Sequence, residues 1–320
     1  MYMFHPFLIM RIIGFLLLLE ALALVSCLGI SIGVGEPIVM SYIKVLLLLL
    51  VVGTLLVFSG RHVKHEVSKK DSYLVVTLCW LVFPAFAGLP YYVSGYIPTV
   101  TDAFFEAVSG FTTTGASIID NLEEFPPSLL FWRSMTQWIG GLGIVFFTVA
   151  VLPVFGTGNM PLLTAESVGP IRTKLHPQVA TATRWILLVY VCLTLVETLC
   201  LMLAGMSFFD AICHSMATIS TGGFSTKQAS IAAYHSPAIE YIVTVFMFLG
   251  GTNFSLLYLF LFKRRFKELF TDGEFRTYLK ITILFTLAIS VGLFFTMPMD
   301  LEEAFRNSVF QVVTIMTTTG

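Results

Sequence analysis

Long apolar runs separated by short polar stretches fill most of the 320 residues. The runs cover 7–34, 42–58, 73–93, 129–151, 185–203, 239–262 and 278–295. Each is near the ~20 residues that a helix needs to cross the hydrocarbon of a bilayer. None alternates apolar and polar residues with the period of two that marks a transmembrane β-barrel. The pattern predicts an all-α polytopic membrane protein. Pro84 and Pro90 predict a kink or an early end in the third span, because proline removes a helical hydrogen bond. The first run is too long for the core of a signal peptide and is read as a retained span.

Between the long runs lie shorter ones with a common ending. Phe105-Glu106-Ala107-Val108-Ser109-Gly110-Phe111 leads into Thr112-Thr113-Thr114-Gly115. Ile219-Ser220-Thr221-Gly222 repeats the ending, and Thr317-Thr318-Thr319-Gly320 repeats it again. The third copy aligns with the first without a gap, placing Phe105 and Val108 over Phe310 and Val313. In the same alignment Glu106 stands opposite Cys213 and Gln311. A helix of about ten residues is ~15 Å long, half the thickness of a membrane. Each is therefore expected to enter, stop midway and return as an extended turn. Asp102, with Thr101 before it, and Asp210 are expected as caps or first-turn acids. Re-entrant backbone is tolerated only where protein or a water-filled path surrounds it. Gly140-Gly141-Leu142-Gly143 and Gly250-Gly251 follow the first two turns and suit close helix approach or bending. The fold expected is repeated membrane helix–re-entrant pore helix–membrane helix units around a central pore, plus an N-terminal helical hairpin. The expected divisions are a hairpin over 1–66, pore repeat 1 over 67–160, repeat 2 over 175–265 and an incomplete repeat 3 over 270–320.

Composition agrees with this picture. The chain is 57% hydrophobic and 12% charged, with a mean hydropathy of +0.88. Soluble domains carry about 25% charged residues. The net charge of −1 gives no reason to expect a nucleic-acid partner. The five cysteines form no C-x-x-C pair, so metal and disulfide chemistry are not expected. Basic residues gather in alternate loops: Arg61, Lys64, Lys69 and Lys70; Arg172, Lys174 and Arg184; and Lys263, Arg264, Arg265, Lys267, Arg276 and Lys280. The segments holding the Thr-Gly turns have few, chiefly Lys227 and Arg306. The positive-inside rule puts the basic loops in the cytoplasm and the turns on the outer side.

A dehydrated cation needs a cage of oxygens in place of its water, and backbone carbonyls can supply it. Glycine permits the backbone angles required, and a threonine hydroxyl can add an oxygen. The candidate ion-binding residues, with potassium as the metal and transported ion, are Thr112, Thr113, Thr114 and Gly115; Ile219, Ser220, Thr221 and Gly222; and Thr317, Thr318, Thr319 and Gly320. Gly222-Gly223 leaves the register of the second turn open by one residue. Asp102, Asp120, Glu123 and Glu124 can enrich cations at the mouth. Glu106 reads as a buried structural acid behind the filter. Glu20 and Glu197, inside spans, read as acids with structural partners. His214 reads as a hydrogen-bonded packing residue, and Arg133, Trp132 and Trp138 as interface anchors. An intramembrane hydrolase would need a nucleophile paired with a base. His214 and Ser215 are the nearest candidates, and sequence neighbours on a helix do not face each other. A non-conducting scaffold subunit is the remaining alternative.

Residues 101–116, 131–143 and 220–226, which include the Phe-Trp-Arg-Ser-Met-Thr-Gln-Trp-Ile-Gly-Gly stretch at 131–141, resemble the Trk/Ktr/HKT superfamily of cation transporters. Within it the resemblance is specifically to the bacterial TrkH potassium-uptake family, over essentially the whole chain. The resemblance implies potassium uptake across the bacterial inner membrane, with sodium or non-selective cation transport as the alternative. It also implies no enzyme activity, no cofactor, a homodimer and a cytosolic TrkA-type nucleotide-binding regulatory subunit. Four repeats with one filter glycine each are implied. Gly115, Gly222 and Gly320 match three of them, and a fourth repeat is expected to be absent, as in a chain shortened at its C-terminal side.

Overall fold

The computed structural model describes residues 5–61, 69–143 and 179–320. The described residues are helical, without a β-strand. They divide into two compact units, one of residues 1–112 and 116–184, the other of residues 113–115 and 185–320.

In the first unit, α1 (Pro6–Val34) and α2 (Val39–Ser59) form an antiparallel hairpin. Leu16, Leu17 and Leu24 of α1 are buried, and α1 also packs on α3 (Lys69–Ala87) and α6 (Pro127–Gly141). Asp71, in the first turn of α3, accepts from the His5 backbone N–H at 3.1 Å and lies 3.0 Å from its ring nitrogen. The Tyr42 hydroxyl on α2 donates to Ser128 on α6 at 2.9 Å. Glu36, in the hairpin turn, accepts from both the backbone and the hydroxyl of Ser128. The expected interruption of the third span falls after Ala87: Pro84 lies inside α3, and Pro90 opens α4 (Leu89–Ser94). Next comes α5 (Val100–Phe111), one of the short helices.

The second unit contains α7 (Val179–Leu203, shared at its start with the first unit), α8 (Phe208–Ile219), a 3-10 turn (Ser230–Tyr234) and α9 (Pro237–Gly250). It continues through α10 (Phe254–Leu261), α11 (Phe266–Thr271), α12 (Gly273–Thr296) and α13 (Leu301–Met316). Its core is Leu201, Met206, Ala211, Ile231, Ile239, Val243, Met247 and Val313, so α7, α8, α9 and α13 close on one another.

Among the described residues five helices are long and apolar enough to cross a membrane. The run at 239–262 is not one straight span, as expected, but α9 and α10 bent by 108°. The break has local causes. A Cβ on Gly250 would sit 3.1 Å from the Ile219 carbonyl oxygen, so this glycine lets α9 close onto the end of α8. The Asn253 side chain then accepts from the Ser255 N–H at 3.0 Å and starts a new helix. The second half of the expected span at 129–151, with Lys64, Arg172 and Lys174, lies outside the described residues.

The three short helices share a capping design that begins earlier than Asp102 and Asp210. Thr99 caps α5, Ser207 caps α8 and Asp300 caps α13, each accepting from the backbone N–H three residues on. Asp102 and Asp210 are first-turn acids rather than caps, placed where the positive end of the helix favours them.

Candidate functional site: three strained turns

Each short helix ends in the same way. Thr112, Ser220 and Thr317 are the last near-helical residues, and each donates its backbone N–H four residues back, to Val108, Met216 and Val313. Their hydroxyls also turn back, to Val108 at 2.8 Å, Ala217 at 3.0 Å and Val313 at 2.8 Å. Each gives a second donor to a carbonyl at the helix end that already accepts a backbone N–H. The next residues, Thr113, Thr221 and Thr318, have φ of 52°, 55° and 58°. In the second and third turns the N–H groups then bond back from Thr221 to Thr218, Gly222 to Ala217, Thr318 to Ile315 and Thr319 to Thr314. This is the Schellman pattern, in which the left-handed residue is usually glycine. Here it is a β-branched threonine three times, and such strain of about 1–3 kcal/mol clusters at functional sites.

Two residues further on stand Gly115 (φ 77°), Gly223 (φ 74°) and Gly320 (φ 90°). The backbone therefore settles the open register. Gly223, not Gly222, matches Gly115 and Gly320, and Gly222 occupies the place of Thr114 and Thr319. The second turn is Ser220-Thr221-Gly222-Gly223. Ile219 is the last residue of α8, the counterpart of Phe111 and Met316. By the same count Glu106 stands opposite His214, not Cys213, with Gln311 in the third helix.

The turns lie close together. A Cβ on Gly115 would overlap the Gly222 carbonyl oxygen and come within 3.8 Å of the Thr319 oxygen. A Cβ on Gly223 would overlap the Thr319 carbonyl oxygen. Glycine is required at both positions twice over, by φ and by the carbonyl facing it. On the side of the break in α9, a Cβ on Gly251 would lie 2.6 Å from the Thr317 methyl.

Polar groups in the first unit hold the flanks of the first turn. The Ser109 hydroxyl donates to the Ala116 carbonyl at 2.5 Å. Arg133 and Trp132, expected as interface anchors, are buried. Arg133 pairs with Glu106 at 2.8 Å, and the Trp132 indole N–H donates to the Ala87 carbonyl at 2.9 Å. Trp138 is half-buried. In the second unit Asp210 accepts from Thr226 at 2.6 Å. His214 lies 3.3 Å from the Tyr234 hydroxyl and meets its ring edge-on, the packing role expected of it. Burial is the main cause that pushes Tyr234 up to about 12. Ser215 donates to Ala211 of its own helix at 2.7 Å, so these contacts join neither residue to the other as nucleophile and base. Of the two acids expected to have structural partners, Glu197 has Thr218 beside it, and no such neighbour is found for Glu20 among the described residues. Both are buried. Asp102, Asp120 and Glu124 line an open cavity of about 350 Å³ in the first unit.

Five apolar helices of spanning length define a multi-pass α-helical membrane protein. The chain belongs to the TrkH family, described as cation transport protein, whose model matches residues 39–320. It is 36% identical over 314 residues to the Trk system potassium uptake protein TrkH of Halomonas elongata, covering 98% of this chain and 65% of that one. It is 39% identical over 278 residues to the protein of the same name in Escherichia coli K12, covering 85% and 57%. The crystal structure of the potassium transporter TrkH from Vibrio parahaemolyticus superposes with a TM-score of 0.84 at 34% identity, covering 98% of this chain and 64% of that one. The chain thus spans less than two thirds of the length of each of these relatives. The family is one of transport proteins, not enzymes.

Proposed function

We propose that this chain takes part in potassium uptake and that the turns at 112–115, 220–223 and 317–320 form the ion-selective part of its pathway. The observation that carries the proposal is the packing of Gly115 and Gly223 against the carbonyl oxygens of Gly222 and Thr319. Backbone oxygens brought this close can replace the hydration shell of a cation. The negative ends of the short helices favour positive charge where they stop. Similarity to proteins named for potassium uptake supports potassium as the ion.

The same reading divides the chain into a hairpin over 1–66 and pore repeats over 67–160, 175–265 and 270–320. It places the protein in the bacterial inner membrane as a homodimer, with a cytosolic TrkA-type nucleotide-binding subunit as regulator. Growth of a potassium-uptake-deficient strain in low potassium tests it. Expression of the full-length gene product should restore growth, and its Gly115→Asp variant, made and inserted at normal levels, should not. Restored growth with Gly115→Asp would refute the assignment of the turns.

A further inference from the structure

The exit of the first turn is tied to a buried ion pair. Glu106 and Arg133 are 0% and 1% exposed and meet at 2.8 Å. Glu106 also accepts from the Ser117 hydroxyl at 3.0 Å and from the Ile118 N–H at 3.1 Å. Arg133 donates through its second arm to Ser117 Oγ at 3.0 Å. The same oxygen accepts from the Ile119 N–H at 3.2 Å. The residues directly after Gly115 are thus fastened at several successive backbone and side-chain groups. An ionised carboxylate has acceptor sites enough for three donors, and each buried charge needs the other as partner. Five residues before the end of each short helix stand Glu106, His214 and Gln311. His214 reaches Tyr234, beyond the second turn, through a neutral type of contact. One position therefore carries three different chemistries, and in the first helix it is an ion pair that grips the chain just after the turn.

We propose that Glu106 and Arg133 are positioning residues for cation selection, acting through Ser117 to fix the angle at which the first turn presents its oxygens. The proposal rests on reading the turns as the selective part of the pathway. A pair that merely filled a polar hole would not need Ser117 and would not affect the choice of ion.

The test uses the protein expressed from its own gene and reconstituted in phosphatidylethanolamine–phosphatidylglycerol liposomes, with potassium and sodium fluxes measured separately. Ser117→Ala removes the side-chain link and leaves the ion pair and the Ile118 N–H bond to Glu106 in place. It should lower the potassium-to-sodium flux ratio by about tenfold, the equivalent of one hydrogen bond to a charged group. The neutral double variant E106Q/R133Q avoids stranding one charge and should lower the ratio at least as far. If Ser117→Ala stays within about twofold of the parent while Gly115→Ala collapses the ratio, the positioning role is wrong and the filter reading stands. If Gly115→Ala also leaves the ratio intact, both are wrong.

Discussion

The one-residue register of the second turn makes the sharpest prediction. Gly223→Ala should abolish transport, whereas Gly222→Thr, which copies the residue found at that place in the other two turns, should largely preserve it. Alanine at Gly223 meets two obstacles. The left-handed conformation at φ 74° costs an L-residue about 1–2 kcal/mol. Its Cβ would also overlap the Thr319 carbonyl oxygen. That oxygen belongs to backbone, so no rotamer change can move it aside, and overpacking of this kind costs about 1–3 kcal/mol. Together the two terms give about 2–5 kcal/mol. At 1.36 kcal/mol per factor of ten, transport should fall between about thirtyfold and several thousandfold if the whole cost falls on the conducting geometry. Gly222 lies outside the left-handed region, so a side chain there meets no such backbone penalty. Rubidium uptake into liposomes, normalised to inserted protein, measures both variants. Loss of uptake in Gly222→Thr together with normal uptake in Gly223→Ala would refute the register and the steric reasoning behind it.

Other expectations follow from single contacts. Thr221→Gly should relieve the left-handed strain at φ 55°, for a net gain of about 1 kcal/mol after the added chain entropy of glycine. Its thermal midpoint in detergent should rise while its discrimination against sodium falls; a lower midpoint would mean that Thr221 is not strained. Trp132→Phe leaves the buried Ala87 carbonyl without its 2.9 Å donor and should cost about 1–3 kcal/mol. An unchanged unfolding midpoint would show that another donor serves that carbonyl. Tyr234 is raised from 10.0 to about 12 chiefly by burial, so its contribution to stability is fully present below pH 10 and is lost as pH rises through 12. A melting series over that window should show a smaller alkaline loss for Tyr234→Phe than for the parent; equal losses would remove Tyr234 as the cause.

Where the sequence was misleading, the reason is tertiary. Arg133 and Trp132 lie near the end of an apolar run, a common place for interfacial anchors. Their burial depends on Glu106, twenty-seven positions away, and on Ala87, forty-five away, and no local pattern encodes such pairings. The run at 239–262 contains Gly250-Gly251, which reads equally well as a close helix contact or as a bend. The approach of Gly250 to the Ile219 carbonyl, with Asn253 capping the next helix, decides for a bend. The caps were within reach of local reading, since Thr99 and Ser207 each stand three residues before an aspartate. The register of Gly222-Gly223 had a hint in the pore-helix alignment, where a shift of one residue brings Glu106 over His214, polar over polar.

Hydropathy over windows of about twenty residues determined the helices, because burial in lipid leaves a helix as the way for a lone segment to satisfy its own backbone. The repeated Thr-Gly ending singled out the turns, because glycine and threonine restrict the backbone locally. Which glycine turns left-handed, which carbonyl it faces and which charges lie buried behind it were decided only when distant segments packed. Those features are distances between residues far apart in the chain, and a distance of that kind leaves no period in the sequence.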